Sequence, residues 1–436
     1  MTDQPLNILI LSPGAGGMYC GSCLGDNMLA TALGRAGHSV TLLPLYTPTL
    51  TDEPNASIDK LFLGGINVYL QQKVALFRRL PGFFDRILDR PWLVRKLAGR
   101  AIGIDANQLG ALTLSMVRGE HGNQRKEIRR LVNWLASQPR PDVVNLSNLL
   151  IAGCVPAIKQ RLGAAVVVTL HGDDLFLDSL PDEYRQPVEA ELRGIARHVD
   201  RFLAHSAYYA DAMARRFDLP RQRIDVVPLG ISLEGFPEQS PPPADDRPRN
   251  LGYLARICEA KGFHLLVDAF LDLKQRPEFS DLQLTAAGWL SAADQSYFDL
   301  HAGRVRKAGW AGHFRYAGAP DRREKLALLG DMDLLCVPAV YREPKGRYVL
   351  EALAHGVPVV QPDHGAFPEL LARTGGGRLF QAGNREDLVV RLLELLADPA
   401  LRNELAVQGH TAVRRDAGAD LVAQRTVEVY RRSLSG

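Results

Sequence analysis

The sequence predicts an α/β protein with two doubly wound domains, each built on a parallel sheet. Short apolar runs typical of buried strands alternate with helix-forming segments, first from Asn7 and again from Asn250. Between the two series lies the stretch 237–249, which has five prolines and no hydrophobic period, as expected of a linker. The chain of 436 residues also exceeds the length that one hydrophobic core usually supports.

Composition narrows the class of protein. Apolar residues make up 46% and charged residues 23%, which is typical of a soluble globular protein. The net charge of +3 is small for this length and gives no argument for nucleic acid as a partner. Five cysteines, an odd number, and a start without an apolar leader lead us to expect a cytoplasmic protein without disulfides. No apolar run is long enough to predict a membrane span.

The first domain opens with a strand, a glycine-rich turn and a helix. Residues 7–12 form the apolar run, residues 13–21 the turn, and residues 22–36 the helix. Glycines lack a Cβ, so the backbone of such a turn can approach a phosphate or a sugar closely. The glycine spacing differs from that of a dinucleotide-binding fingerprint, and no acidic residue ends the second strand, so a dinucleotide site is not predicted.

Cys20 and Cys23 form a Cys-x-x-Cys pair at the start of this helix, where a thiolate is favoured. Packing of small side chains under a crowded loop is the simplest interpretation. A redox role stays open, although no thioredoxin-like context surrounds the pair. Zinc binding is disfavoured because Cys154, Cys258 and Cys336 supply no second pair.

A histidine follows a buried strand further along the first domain. The apolar run 164–170 is followed directly by His171, and then by Asp173 and Asp174. Ligands bind at the carboxyl ends of strands in open α/β sheets, so these side chains are candidates for a binding site. A single histidine in such a place is more often structural, and the pattern alone leaves both interpretations open.

The second domain begins with the strand 250–254, followed by a turn that contains two cations. Arg256 and Lys261 lie five residues apart, and Gly262 follows. Two cations beside a glycine turn at a strand's carboxyl end are suited to neutralising a diphosphate, including a diphosphate that leaves during a reaction.

Residues 341–362 combine a loop, a helix and a strand. Glu343 lies in the loop, Glu351 lies one to two turns inside the helix that starts near Arg347, and residues 357–360 form the apolar run. We expect both carboxylates to face one pocket above the sheet. The helix N-terminus suits a diphosphate, and carboxylates accept pairs of hydroxyl hydrogen bonds from a sugar or a ribose.

This stretch resembles the donor-site signature of glycosyltransferase family 4, whose members are retaining enzymes with the GT-B fold. The resemblance consists of Glu343, seven residues, Glu351-Ala, a short helix and Gly-x-Pro-Val-Val. The turn around Arg256 and Lys261 is similar to the family's Gly-Arg-Leu and Lys-Gly signature. The run Val-Val-Thr-Leu-His, ending at His171, resembles the strand whose histidine contacts the donor sugar. At positions 344 and 345 this chain has Pro and Lys where the family usually has a small residue and Phe.

The resemblance implies the GT-B architecture, in which two Rossmann-like domains face a cleft and a C-terminal helix crosses back to the first domain. The implied parts are an acceptor-side domain at 1–236 with a basic and aromatic insert at about 61–130, the linker 237–249, a nucleotide-sugar-binding domain at 250–415, and a crossover helix at 416–436.

The resemblance also implies a hexosyltransferase that moves a sugar from a nucleoside diphosphate to a glycan or lipid-linked acceptor with retention. No cofactor and no metal are implied, since Arg and Lys take the place of Mg²⁺ at the diphosphate. The catalytic residues it implies are Glu343, His171, Arg256 and Lys261. The donor-binding residues it implies are Gly16, Gly17, Gly346, Arg347, Tyr348 and Glu351.

Three alternatives remain at this stage. A sugar phosphorylase of the same fold would use inorganic phosphate as its acceptor. A nucleotide-sugar epimerase fits less well, because such enzymes carry different carboxylate patterns. A non-catalytic protein that binds a nucleotide sugar would keep the fold and tolerate loss of the site.

The insert has a strongly basic part. Residues 73–100 hold eight cationic and two anionic side chains, interleaved with the aromatics Phe77, Phe83, Phe84 and Trp92. Such a stretch can lie in a membrane interface and hold anionic headgroups, which would make the protein peripheral on the inner face of a membrane. It can equally be an acceptor-recognition insert with a solvated basic face.

The membrane interpretation predicts that the protein cosediments with vesicles that contain anionic lipid. Binding should weaken as salt is added, because salt screens the attraction between exposed charges. Zwitterionic vesicles are the control and should bind less. If anionic vesicles capture no protein even at low salt, the membrane interpretation is excluded.

Overall fold

The computed structural model describes residues 4–14, 19–63, 72, 106–242 and 247–435. The chain divides into two compact units, one comprising Met1–Pro228 with Ala419–Gly436 and the other Leu229–Gly418. Each unit contains one six-stranded sheet in which all neighbouring strands are parallel. The predicted fold class, two Rossmann-like α/β domains, is confirmed.

The first unit begins close to where the sequence places its first strand. Its strands are β1 (Asn7–Ser12), β2 (Ser39–Pro44), β3 (Val143–Leu146), β4 (Ala165–Thr169), β5 (Arg201–Ala204) and β6 (Ile224–Val226). Its α-helices with described bounds, apart from the last one, are α1 (Gly21–Arg35), α2 (Ala106–Val117), α3 (Arg125–Ala136), α4 (Val155–Leu162), α5 (Asp173–Asp178), α6 (Asp182–Ala196) and α7 (Ala207–Phe217).

The strand order of the first sheet is β2-β1-β3-β4-β5-β6. The chain passes from β1 to β2 on one side and later places β3 on the other side, so the order reverses between β1 and β3. Alternate residues of β1 belong to different clusters, Ile8 and Ile10 to one and Leu9 and Leu11 to another. Both faces of the sheet are therefore buried, and polar groups gather at its edges.

The second unit repeats the design with a different strand order. Its strands are β7 (Asn250–Leu254), β8 (Gln283–Ala287), β9 (Phe314–Tyr316), β10 (Leu334–Cys336), β11 (Val359–Pro362) and β12 (Gly377–Phe380). Its α-helices are α8 (Phe263–Lys274), α9 (Gln295–Lys307), α10 (Arg322–Gly330), α11 (Arg347–Ala354), α12 (Phe367–Thr374), α13 (Arg385–Ala397) and α14 (Pro399–Asp416). The order β12-β11-β10-β7-β8-β9 reverses between β7 and β10.

The last helix, α15 (Ala419–Leu434), belongs to the first unit. Val427 and Tyr430 of α15 are buried in the same cluster as Ile8, Ile10 and Met28. The prediction that a C-terminal helix returns to the first domain is therefore confirmed.

The Pro-rich stretch is attached to the second unit where it is described. His410 and Arg414 of α14 hydrogen-bond to the carbonyl of Pro237, with Nε2 and Nη2 at 3.0 and 2.6 Å. The divide between the two units falls at Pro228 and Leu229, ahead of this stretch. No helix among the described residues combines the length and apolar character needed to cross a bilayer.

Candidate active site

The loops that follow β7 and β10 contact each other in the second unit. The two strands are parallel neighbours, so their carboxyl ends lie side by side at the point where the strand order reverses. The amides of Val340 and Tyr341 both donate to the carbonyl of Ala260, at 3.0 and 3.4 Å. Ligands bind at such a switch point in open α/β sheets.

Glycine permits the close approach of these loops. Gly262 has a φ of +69°, and a Cβ there would lie 1.9 Å from the carbonyl oxygen of Pro338. Gly346 has a φ of +66° and precedes the first residue of α11. Side chains larger than hydrogen are strained at both positions, which explains glycine at the end of each loop.

Lys261 and Glu343 form an ion pair between the two loops. Lys261 Nζ donates to Glu343 Oε2 and lies 3.4 Å from the hydroxyl of Tyr341. The ammonium also lies 4.8 Å from the ring centroid of Tyr341 and 5.5 Å from that of Tyr348. Glu343 is only 4% exposed, so its charge depends on Lys261 for compensation.

The environment keeps Glu343 ionised. Burial raises the pKa of Glu343, but the charge and hydrogen bond of Lys261, with smaller contributions from Lys345 and Tyr341, outweigh burial and hold the pKa below its ordinary value. Burial, together with the neighbouring carboxylate of Glu343, raises the pKa of Tyr348 well above its ordinary value, so its hydroxyl stays neutral. Within the described part of the chain, that buried hydroxyl has no hydrogen-bond partner. A buried orphan hydroxyl beside a carboxylate is a candidate contact for a polar ligand.

Glu351 lies in a second buried cluster on α11. Its Oε1 accepts from Lys325 Nζ and from Arg347 Nε, each at 3.0 Å. The three side chains are between 7% and 8% exposed. Arg347 and Glu351 are four residues apart on one helix, which places them on the same face.

Two residues that the resemblance implies to bind the donor, Arg347 and Glu351, therefore contact each other. Sequence reasoning missed the third member, Lys325. A signal was present, because Lys325 lies three and four residues before the buried Leu328 and Leu329 and so shares their face of α10.

Arg256 lies two residues after the end of β7, and the residue is exposed. Burial of part of the side chain acts to lower its pKa, but Cys258, Asp294 and Tyr341 raise the pKa above its ordinary value. The guanidinium is therefore a permanent positive charge near the loop that carries Tyr341, and it is accessible to an anion.

In the first unit, His171 follows β4 and packs against a second histidine. The rings of His171 and His205 have centroids 4.9 Å apart. His205 Nδ1 lies 2.9 Å from the carbonyl of Val227. A carbonyl only accepts, so Nδ1 of His205 carries the proton in that contact.

Asp173 and Asp174 are also placed at this edge of the first sheet. Asp173 is 2% exposed and accepts from the amides of Leu149 and His171, at 3.0 and 3.3 Å. Burial raises the pKa of Asp173 to about 6, although these amide hydrogen bonds oppose the rise. Asp174 accepts from the hydroxyl of Tyr209 at 2.8 Å.

A further polar contact lies where the strand order of the first sheet reverses. Ser147, which follows β3, donates its hydroxyl to the buried carboxylate of Asp26 on α1. Sequence reasoning did not single out Asp26, because a lone acid in an apolar helix carries no motif. Gly16 and Gly17, predicted to contact a donor, lie outside the described residues.

Thus the second unit brings Lys261, Glu343 and Tyr348 together, while His171 belongs to the first unit. Among the described residues, no group of three or more His, Cys, Asp or Glu side chains is arranged to hold a metal ion. The expectation that no metal is used stays a prediction.

Comparison with known proteins adds family information. A family model described as glycosyl transferases group 1 matches residues 237–411, and a model described as glycosyltransferase family 4 matches residues 113–234. Each model matches one of the two series of strands and helices.

Two curated relatives and one solved structure illustrate the similarity. A phosphatidyl-myo-inositol mannosyltransferase of Mycobacterium leprae is 32% identical over 225 residues, which cover 50% of this chain and 56% of that protein. The chain thus spans about half the length of this mannosyltransferase. A glycogen synthase of Mycobacterium tuberculosis is 27% identical over 328 residues, or 74% of this chain and 76% of that protein. The structure of Anabaena HepE in complex with UDP has a TM-score of 0.68 at 16% identity, covering 98% of this chain and 100% of that chain.

Replacing Glu351 by glutamine is expected to destabilise the protein more than replacing Lys325 by methionine. The first change leaves two buried cations without their carboxylate and should cost roughly 3–5 kcal/mol. The second leaves Glu351 paired with Arg347 and should cost about 1–3 kcal/mol. Urea unfolding measures both free energies.

The control Lys307→Met, at an exposed position of α9, should change the free energy of unfolding by no more than about 0.5 kcal/mol. A larger cost for Lys325→Met than for Glu351→Gln would contradict this account.

Replacing Lys261 by methionine is expected to reverse the response of Glu343 to pH. In the wild type the pKa of Glu343 lies below its ordinary value of 4.5, so its stabilising contribution is present above that pH and is lost as pH falls through the folded pKa. Without Lys261, we expect burial to outweigh the smaller lowering effects of Lys345 and Tyr341 and to raise the pKa of Glu343 above the unfolded value. Relative to wild type, the melting temperature of the variant should then fall as pH rises from about 5 to about 8.

The control for this experiment is Lys261→Met combined with Glu343→Gln, which removes the titrating group. Its melting temperature should follow the wild-type pH dependence. If Lys261→Met alone also follows the wild-type curve, Lys261 does not set the pKa of Glu343.

Proposed function

Because the chain belongs to glycosyltransferase family 4, with the GT-B fold, we propose that it is a retaining hexosyltransferase. The donor is a nucleoside diphosphate sugar, and the acceptor is a sugar or a lipid-linked sugar. The observation that supports this most is the buried pair of Lys261 and Glu343 at the switch point of the second sheet. It combines a fixed cation and a fixed carboxylate where a ligand is expected.

The cations serve the diphosphate in this proposal. When the bond from the sugar to the diphosphate breaks, negative charge develops on the leaving phosphate, and nearby fixed cations lower the barrier. Arg256 is exposed and cationic, and Lys261 is 15% exposed, so both can contact an anion. Positive side chains would then do what Mg²⁺ does at other diphosphate sites.

Glu343 and Tyr348 serve the sugar. An ionised carboxylate accepts hydrogen bonds from two sugar hydroxyls, and the neutral hydroxyl of Tyr348 adds a donor beside it. Lys261 holds the carboxylate in place before the ligand arrives, so little reorganisation is needed on binding. Glu351, held by Lys325 and Arg347, is assigned to the ribose hydroxyls.

His171 of the first unit is assigned to the donor sugar by its resemblance to the family's histidine. Its ring packs on His205, and its amide binds Asp173, so its position is set by two neighbours. In a retaining transfer the acceptor hydroxyl approaches the anomeric carbon from the face that the diphosphate leaves. A leaving phosphate oxygen can then accept the acceptor's proton, and no protein base is required.

The related proteins named above include one that acts on a phosphatidyl-inositol and one that makes glycogen, so both lipid-linked and glycan acceptors are proposed for this chain. The comparisons do not favour the phosphorylase alternative.

The identity of the nucleotide base in the donor is a question for experiment. In a melting experiment with UDP, GDP and ADP, the correct nucleotide at 100 times its dissociation constant adds about 2.7 kcal/mol to stability.

The proposal predicts that Glu343→Gln lowers kcat/KM for sugar transfer by about 100-fold or more, because a preorganised group at the sugar is lost. The control Glu386→Gln, at an exposed position of α13, should keep wild-type activity. The assay follows release of the matching nucleoside diphosphate from its sugar with a panel of acceptors, and NMR of the product determines the anomeric configuration.

The transferase assay separates three parts of the proposal: the role of Glu343, retention of configuration and the identity of the acceptor. Wild-type turnover in Glu343→Gln would contradict the role of this carboxylate. An inverted product would overturn retention alone. Sugar phosphate formed only when inorganic phosphate is added would identify a phosphorylase instead.

A further inference from the structure

The N-terminus of α1 carries two cysteines whose geometry suits a disulfide. Cys20 is the N-cap of the helix and has an extended backbone, and its carbonyl accepts the amide of Leu24 at 2.9 Å, so the helical hydrogen bonds begin at Cys20. Residues three apart on a helix have Cα atoms about 5 Å apart, within the range of about 4.4–6.8 Å for disulfides. Cys20 is also the largest influence on the pKa of the Cys23 thiol, as expected of neighbouring thiols. A bond between the sulfurs therefore needs little backbone movement.

The two cysteines differ in access to solvent. Cys23 is fully buried, whereas Cys20 is partly exposed. The other cysteines, Cys154, Cys258 and Cys336, are all buried. Only Cys20 is therefore placed to meet an external oxidant, and only Cys23 lies beside it to complete a bond.

The electrostatic environments of the two thiols also differ, and they favour Cys20 as the thiol that reacts first. The first turn of α1 contains no acidic residue, so the amides at the helix N-terminus favour a thiolate at Cys20. The hydrogen bond with Cys20 and then burial raise the pKa of the Cys23 thiol, with a smaller contribution from Asp26. Cys23 thus keeps its proton until Cys20 has reacted.

We propose that Cys20 and Cys23 form a reversible disulfide by exchange with a disulfide oxidant, RSSR. The Cys20 thiolate attacks one sulfur of RSSR, forming a mixed disulfide and releasing one thiolate. Cys23 then loses its proton to that thiolate, and the sulfur of Cys23 attacks Cys20 Sγ and expels the second thiolate of RSSR. This second thiolate takes a proton from solvent, which balances the proton that Cys20 lost at the start. Two cysteine thiols are oxidised by two electrons, and RSSR is reduced to two RSH.

The pair lies at the switch point of the first sheet. The hydroxyl of Ser12, the last residue of β1, donates to Cys23 Sγ at 3.7 Å. Asp26, one turn further along α1, accepts from Ser147 after β3. Oxidation therefore changes a side-chain contact at an edge where such sheets bind ligands. The disulfide closes a loop of only a few residues, which removes little chain entropy, so the pair suits reversible cycling better than stabilisation.

The test equilibrates the full chain with glutathione buffers of increasing oxidised fraction, traps remaining thiols with N-ethylmaleimide, and measures tryptic peptides by mass spectrometry. Arg35 is the first cleavage site for trypsin, so residues 1–35 form one peptide whose only cysteines are Cys20 and Cys23. We expect this peptide to pass in one step from doubly alkylated to a form two hydrogen masses lighter than the dithiol. Reductant should restore the alkylated form.

Two variants separate the roles of the cysteines. Cys23→Ser should accumulate glutathione on Cys20, because nothing displaces it, whereas Cys20→Ser should keep Cys23 as a thiol. Cys258→Ser is the control and should leave the peptide's behaviour unchanged. The proposal is overturned if the wild-type peptide stays doubly alkylated in the most oxidising buffer, or if it accumulates the same glutathione adduct as Cys23→Ser. The wild-type measurement needs no variant to fold, and it does not depend on transferase activity.

Discussion

The candidate site depends on one buried ion pair, that of Lys261 with Glu343. Removing a carboxylate from water costs several kcal/mol, and a cation in direct contact is what offsets that cost. The contact exists because β7 and β10 are adjacent and parallel, so the loops that follow them share hydrogen bonds through Ala260. Gly262 allows the two backbones to approach closely. A change that separates the loops would leave a buried charge uncompensated, so loop geometry and electrostatics constrain each other.

Polar side chains lie at the carboxyl ends of the strands in both sheets. Both faces of the first sheet are buried in apolar clusters, which leaves the carboxyl ends of the strands for polar side chains. In the first unit these include Asp26, His171 and Asp173. In the second unit Glu343 occupies the corresponding edge. The repeated fold thus provides two polar edges, each built on an apolar interior.

The second unit also contains a cluster of buried charges outside the pair of Lys261 and Glu343. Lys325, Arg347 and Glu351 are three ionic side chains at a place where apolar side chains would pack with less desolvation. Such a cluster is understandable if one of its members must present a fixed charge to a ligand. The same argument applies to the hydroxyl of Tyr348, which is buried beside Glu343 and has no partner among the described residues.

Local sequence determined much of this protein. The strand at 250–254, the glycine after Lys261 and the loop that carries Glu343 follow from apolar runs, turn residues and spacing, because these depend on near neighbours in the chain. Helix α2 lies within the predicted insert at 61–130 and α3 begins within it, and neither helix was predicted. Strand β11 begins at Val359, two residues later than the apolar run at 357–360 indicated. The tertiary structure alone decided that Lys261 reaches Glu343 across 82 positions, that Lys325 pairs with Glu351, and that Asp26 binds Ser147. These partners are chosen by the order of strands in the sheets, and strand order is set by packing between segments far apart in sequence, which local patterns do not record.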